Sequence, residues 1–368
     1  MHSVDVVIVG AGFAGAATAF HLTRRGVRRV VVLEREAIPG YHASGRNAAL
    51  GFTSIDEPEA AALARAGLAF IREEASALAG RSIFRPCGSL LVAGESSTAA
   101  RLQAMARTKG MGFAWWDRNA AVAAVPVLEG AEICGALWSA DDGVVDIHAL
   151  LQVYLREARS FGAEIVYNAP VERIEVRHNR VVAVHTRAGS WGCGVLVDAA
   201  GAWASEVARL AGSPMPTLEP RRRHLFLGQT STPINSQWPF VWHADVDTYF
   251  RPEGAGLLLS PCDATPHPAA EPAIDDSAKV LLAEKLTRAF PRLAELALVS
   301  AWACLRTFAA DERFVIGPDP AIGGFVWVAG LGGHGMTTSA AVGRLAASAV
   351  LGEAADELSW FRPERLLR

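Results

Sequence analysis

The sequence predicts a two-part α/β fold, in which an open, mainly parallel sheet flanked by helices is joined to a second α+β unit built on an antiparallel sheet. Three observations carry this expectation. First, the apolar run Val4-Asp5-Val6-Val7-Ile8-Val9 leads straight into Gly10-Ala11-Gly12-Phe13-Ala14-Gly15. A helix-forming stretch to Arg25 follows, and then a second apolar run over 30–33 closes on Glu34. Second, the run Gly194-Val195-Leu196-Val197-Asp198 repeats the strand-to-glycine-turn crossing at Ala199-Ala200-Gly201-Ala202-Trp203. Third, a proline-rich break over 214–220 opens a stretch of short runs, 223–228, 249–252 and 257–260, with the texture of antiparallel strands.

The N-terminal unit is a Rossmann-like βαβ within the roughly 30 residues such a unit needs. Each residue type there has a physical reason. Gly10 lets the chain turn tightly, Gly12 lets backbone approach a pyrophosphate, and Gly15 lets the helix lie close on the sheet. The helix N-terminus offers free N–H groups and the positive end of a dipole to phosphate. Glu34, at the end of the second strand, is placed to accept hydrogen bonds from a ribose diol.

Further along, 57–78 is alanine-rich with apolar residues at helical spacing and predicts a helix. Ser89-Leu90-Leu91-Val92 reads as a strand. The amphipathic stretch 150–161 ends at Gly162, a helix-terminating residue. Strands are expected at 164–167, 171–176 and 181–185, a helix at 280–290, a strand at 325–329 and a last helix at 337–350. The expected organisation is therefore discontinuous. A dinucleotide-binding domain is built from 1–84, 146–215 and 303–368, and a substrate domain from 85–145 and 216–302.

Bulk properties narrow the partners. At 368 residues the chain is long for one core, and 51% hydrophobic residues suit well-packed domains. A net charge of −3 gives no electrostatic basis for nucleic-acid binding. Lysine occurs three times among the 35 basic residues, so the remaining 32 are arginine and no single arginine is informative without its context. Five widely spaced cysteines without a C-x-x-C argue against a disulfide framework or a metal site and favour a reducing cytoplasm. No basic segment precedes the first apolar run, so no signal peptide is expected. The longest uncharged stretch, 321–343, holds seven glycines and suits a ligand-lining loop rather than a transmembrane segment.

Several motifs in fixed order go further. After Glu34-Arg35-Glu36 come Pro39-Gly40-Tyr41-His42-Ala43-Ser44-Gly45-Arg46-Asn47, then Asp198-Ala199-Ala200-Gly201-Ala202-Trp203, and then Leu305-Arg306-Thr307 with Asp311. The segment from Gly323 to Gly335 closes the set. Over nearly its whole length the chain resembles the FAD-dependent D-amino-acid oxidase/dehydrogenase superfamily, with glycine and sarcosine oxidase likeness. The strongest likeness is to bacterial D-amino-acid dehydrogenases of the D-arginine type. The resemblance implies FAD as cofactor. Gly10, Gly12, Phe13, Ala14, Gly15 and Glu34 would hold its ADP half, and Val171 would meet the adenine. Arg35, Ser44, Arg46, Asn47 and Ala48 would lie along the pyrophosphate and flavin edge. Ala200, Gly201 and Trp203 would flank the centre, and Gly332, Gly333, Gly335, Met336 and Thr337 the pyrimidine edge of the ring.

The same resemblance implies that Arg306 forks onto a substrate carboxylate, which a planar bidentate donor does better than lysine. Tyr249 would help it, Arg222 is a comparable candidate within Arg221-Arg222-Arg223, and His334 would face the flavin or the pocket entrance. The implied reaction is oxidative deamination of a small amino acid by hydride transfer from Cα, with oxygen or a quinone as final electron acceptor. No carboxylate stands in the 85–91 strand where a cationic side chain would want one, and Leu50 and Phe52 replace polar residues. The expected substrate is therefore a neutral, apolar or aromatic amino acid, with Trp238 and Trp242 as walls, and the resemblance alone implies the D configuration. Cys304 stands where monomeric sarcosine oxidases tether FAD. A glycine- or sarcosine-type amine oxidase, a 2-hydroxyacid oxidase and a flavin-binding subunit of a larger complex are the alternatives. A homo-oligomer is compatible with the sequence.

Overall fold

The structure is a computed structural model describing residues 2–108, 110–231 and 233–367. Its first sheet has eight strands, and its heart is parallel. His2–Val9 lies between Val30–Leu33 and Gly189–Asp198, and Glu164–Val166 flanks Val30–Leu33. The register pairs Val9 with both Leu33 and Asp198, and Asp198 with Trp327 of Phe325–Ala329. Four carboxyl ends thus finish at one level, the edge where open α/β sheets bind ligands. An antiparallel hairpin, Arg173–Arg177 and Arg180–Thr186, extends the sheet on one side.

The first helix, Phe13–Arg24, starts at Gly12 with no side-chain cap and no acid in its first turn. Its leading N–H groups are therefore left largely for a ligand. The turn before it is held by sterics. Gly10 sits at φ +103°, and a Cβ on Gly15 would lie 1.9 Å from the Gly10 carbonyl oxygen. Only glycine at both positions lets the helix approach the strand this closely.

The second sheet has nine strands. It centres on the long antiparallel pair Glu219–Gln229 and Ala297–Phe308, continues through Gly256–Ser260, Thr248–Glu253 and Phe240–His243, and reaches Ser89–Ala93, Gly135–Ser139 and Phe113–Asp117. A small sheet, Leu50–Gly51, Gly143–Val145 and Phe84–Pro86, sits at the junction. The segment boundaries expected at 85 and 303 therefore fall inside strands. The stretch expected as one helix over 57–78 is α-helical over Pro58–Phe70, widens to a π turn over Ile71–Ala75 and ends at Ala79. The strand expected at 171–176 begins at Arg173, leaving Val171 in the preceding loop. Among the described residues, no helix is long and apolar enough to cross a membrane.

Candidate active site

A cavity runs along the carboxyl ends of the first sheet and under the second. One end is lined by Glu34, Ala169 and Val171, the middle by Gly12, Ser44, Ala200, Gly201 and Trp203, and the far end by Cys304, Arg306, Gly333 and Met336. The sequence places these residues up to 324 positions apart, and the fold brings them to one cavity. Glu34 is buried. One carboxylate oxygen accepts the Ala11 N–H at 2.8 Å and the other the Glu36 N–H at 3.0 Å. Burial pushes its pKa up, and the two backbone donors pull the other way.

At the middle, the Phe13 N–H donates to Ser44 Oγ at 3.0 Å, which ties the 40–47 loop to the helix start. The Arg35 guanidinium lies 4.5 Å over the Trp203 ring, with the His42 ring 4.4 Å from it. Arg46 pairs with Glu271 at 2.6 Å and covers the Tyr41 ring at 4.5 Å. Asn47 directs its amide to the loop itself, donating to the Ser44 carbonyl at 2.8 Å and accepting the Ala49 N–H at 2.8 Å. Phe13, Ala14, Arg35, Gly332 and Gly335 also line the cavity. Gly15, Ala48 and Thr337 stand behind its wall. The Ala48 carbonyl accepts from Arg251 Nε at 2.8 Å, and the Thr337 hydroxyl donates to the Leu50 carbonyl at 3.0 Å.

The far end is built by the second sheet. Trp302, Cys304 and Arg306 share one face of their strand, as the two-residue period dictates. Arg306 is 8% exposed and has one donor engaged, Nη1 to Cys304 Sγ at 2.7 Å. Burial holds the Tyr249 hydroxyl up at about 12, against the pull of Arg223 and Arg306, so it remains a donor. The structure corrects the expectation for Arg222. Its guanidinium lies on the opposite face, paired with Asp275. Arg223 points inward instead. It is registered opposite Cys304, and its Nε donates to the Asp263 carbonyl at 2.8 Å.

His334 faces an adjoining cleft lined by Phe52, Leu91 and Trp242. Burial, then Arg306 and Arg223, push its pKa down to about 4. The imidazole is therefore neutral above about pH 5, and kcat/KM should show no limb near pH 6.5 from this residue. A limb at that pH abolished by His334→Gln would contradict this. Trp242 stacks on Phe52 at 5.5 Å and meets Tyr249 at 5.0 Å. Trp238, the other expected wall, is packed in the core with Phe226 and Phe250 instead. Carboxylates absent from the 85–91 strand do occur at the cleft rim, and each has a partner. Asp56 pairs with Arg101 at 2.5 Å, Asp311 with Arg365 at 2.7 Å and Glu312 with Arg221 at 2.9 Å, while Glu57 caps its own helix.

The long cavity, the open helix N-terminus and the buried Glu34 at the end opposite Arg306 together fit the parts of a flavin dinucleotide. A family model described as FAD dependent oxidoreductase (DAO) matches residues 5–349. The chain belongs to the DAO family. As a DAO protein it is an FAD-dependent oxidoreductase. It is 28% identical over 278 residues to mouse mitochondrial sarcosine dehydrogenase, a match covering 72% of this chain and 29% of that one. It is 27% identical over 399 residues to mouse FAD-dependent oxidoreductase domain-containing protein 1, covering 94% and 81%. It is 25% identical over 362 residues to the 4-methylaminobutanoate oxidase (formaldehyde-forming) of Paenarthrobacter nicotinovorans, covering 93% and 43%. The chain thus spans less than a third of the sarcosine dehydrogenase and less than half of the 4-methylaminobutanoate oxidase. The DAO fold is shared with L-proline dehydrogenase from P. horikoshii, at a TM-score of 0.90 and 21% identity over 100% of this chain and 98% of that one. Glycine oxidase from Geobacillus kaustophilus follows it at a TM-score of 0.83 and 24% identity, covering 98% of each chain.

Proposed function

We propose that this DAO protein oxidatively deaminates a neutral, apolar D-amino acid. The observation that carries this reading is Arg306, a guanidinium nearly closed off from solvent, with a thiol as its partner among the described residues, at the end of the cofactor cavity. A buried cation without an anion is costly, and an incoming carboxylate offsets that cost. Arg306 would bind the carboxylate through its free edge, with the Tyr249 hydroxyl as a further donor and Arg223 as a second cation. The Phe52–Trp242 stack and Leu91 would take the apolar side chain.

FAD, when bound, supplies the acceptor for a hydride leaving the substrate Cα. The residues supply position and charge. Two nearby guanidiniums disfavour a bound ammonium as they disfavour a charged His334, so the amine is presented neutral without a protein base. Rates should therefore rise with pH as the bound ammonium deprotonates. Five free cysteines support a reducing compartment for this chemistry.

Anaerobic bleaching of the flavin by paired D- and L-amino acids and 2-hydroxyacids tests the reading. Faster bleaching by D-leucine or D-phenylalanine than by their L-forms supports it, and bleaching by 2-hydroxyacids alone refutes it. Sarcosine belongs in the panel, because the relatives named for N-methyl substrates favour a secondary amine as the second reading. Reoxidation by air or by a quinone assigns the acceptor.

A further inference from the structure

Outside the cavity, the structure holds a wholly buried carboxylate that the chemistry above does not use. Asp142 is 0% exposed and lies just before the strand Gly143–Val145. One of its oxygens accepts from Thr53 twice, from the N–H at 3.1 Å and the hydroxyl at 2.6 Å. The other accepts the Ser89 hydroxyl at 2.7 Å. Its backbone carbonyl accepts the Gly88 N–H at 2.9 Å.

These partners are the two supports of the aromatic wall. Thr53 follows Phe52 directly. Ser89 begins the strand whose parallel neighbour carries Phe240 and Trp242, with Ser89 registered on Phe240 and Leu91 on Trp242. Those two rings hold the Phe52 ring, at 5.7 Å from Phe240 and 5.5 Å from Trp242. One carboxylate thus grips the loop that carries one half of the wall and the strand paired with the one that carries the other.

Burial pushes Asp142 up to about 6, against the pull of its donors, so at neutral pH the site still holds an anion that is unfavourable to keep there. A well-packed apolar group would hold these strands at lower cost. What a charged acceptor of three hydrogen bonds adds is a fixed distance between Thr53 and Ser89.

We propose that Asp142 is a positioning residue for substrate selectivity, fixing the Phe52 ring against Trp242 and so setting the width of the side-chain cleft. This rests on the reading above that the cleft takes an apolar side chain.

The test compares Asp142→Asn, Thr53→Val, Phe52→Ala and the Asp142→Asn/Phe52→Ala double variant in the FAD-loaded enzyme. The readout is the ratio of kcat/KM for D-leucine to that for D-alanine, with the limiting rate of flavin bleaching measured alongside. Asp142→Asn is expected to lower the ratio about fivefold or more, through KM, while the limiting rate stays within about twofold. The double variant should show no further loss beyond Phe52→Ala. An unchanged ratio in folded, yellow Asp142→Asn overturns the proposal, as does a loss that simply adds to that of Phe52→Ala. If Asp142→Asn does not fold, Thr53→Val decides by the same ratio. If the wild type is bleached by no amino acid, the functional reading fails on its own. The wall is then judged on binding, as the ratio of Kd values for 4-methylpentanoate and acetate from flavin difference spectra, which Asp142→Asn should lower if the proposal holds and leave unchanged if it does not.

Discussion

Replacing Arg306 by alanine is expected to lower kcat/KM by roughly two to three and a half powers of ten while leaving the protein yellow. The magnitude follows from removing one partner of a buried, hydrogen-bonded charge pair, which costs about 3–5 kcal/mol. The guanidinium is 8% exposed and lies where a Cβ on Gly333 would come within 3.0 Å of its Cδ, so water does not readily replace it. Arg306→Lys keeps the charge but loses the fork and should recover only part of the loss. Stopped-flow bleaching by the best amino acid gives the rate, and the 450 nm absorbance gives flavin content. Wild-type kcat/KM in Arg306→Ala would remove the proposed carboxylate anchor.

Gly15→Ala is expected to yield protein nearly free of flavin. The added methyl would stand 1.9 Å from the Gly10 carbonyl oxygen and 3.2 Å from Ile8 Cγ2. Gly10 has no room to move away, because its own Cβ direction points 2.6 Å from the Ala199 carbonyl oxygen. The helix must then lift from the strand, at a cost of about 1–3 kcal/mol or more for overpacking. Its N–H groups lose their aim at the cavity as well. Gly26→Ala is the control. It sits at φ +90° with nothing within 4 Å, so it should lose stability by strain and keep its flavin. Equal flavin content in the two variants would contradict this account.

The parts legible in the sequence are those written in short stretches. The strand His2–Val9, helix Phe13–Arg24 and strand Val30–Leu33 follow from apolar runs, three glycines and one acid within 34 residues, and neighbouring chain alone specifies them. Arg222 and Arg223 show where that stops. Three consecutive arginines carry no phase, and which one points inward is set by the partner strand Ala297–Phe308, whose Cys304 is registered on Arg223 from 81 residues away. The same strand is illegible as a unit, because 297–300 is exposed and burial begins only in its second half. Trp238 and Trp242 differ in burial through packing rather than composition. Asp142 gave no sequence signal at all, since its partner Thr53 is 89 positions away.

The interleaving of the two sheets along the chain has a consequence for biosynthesis. The strand Gly189–Asp198 gains its outer parallel neighbour only from Phe325–Ala329, after the whole antiparallel sheet has been made. A nascent polypeptide leaving the ribosome therefore carries an unfinished hydrophobic edge through more than a hundred residues of further translation. Such long-range closure is intrinsically slow and exposed to aggregation. Because Gly333 and Met336 complete the wall that Gly12 begins, the cavity for the prosthetic group closes only after all three have been made. Vitamin supply at that moment, rather than earlier, would govern the yield of active molecules.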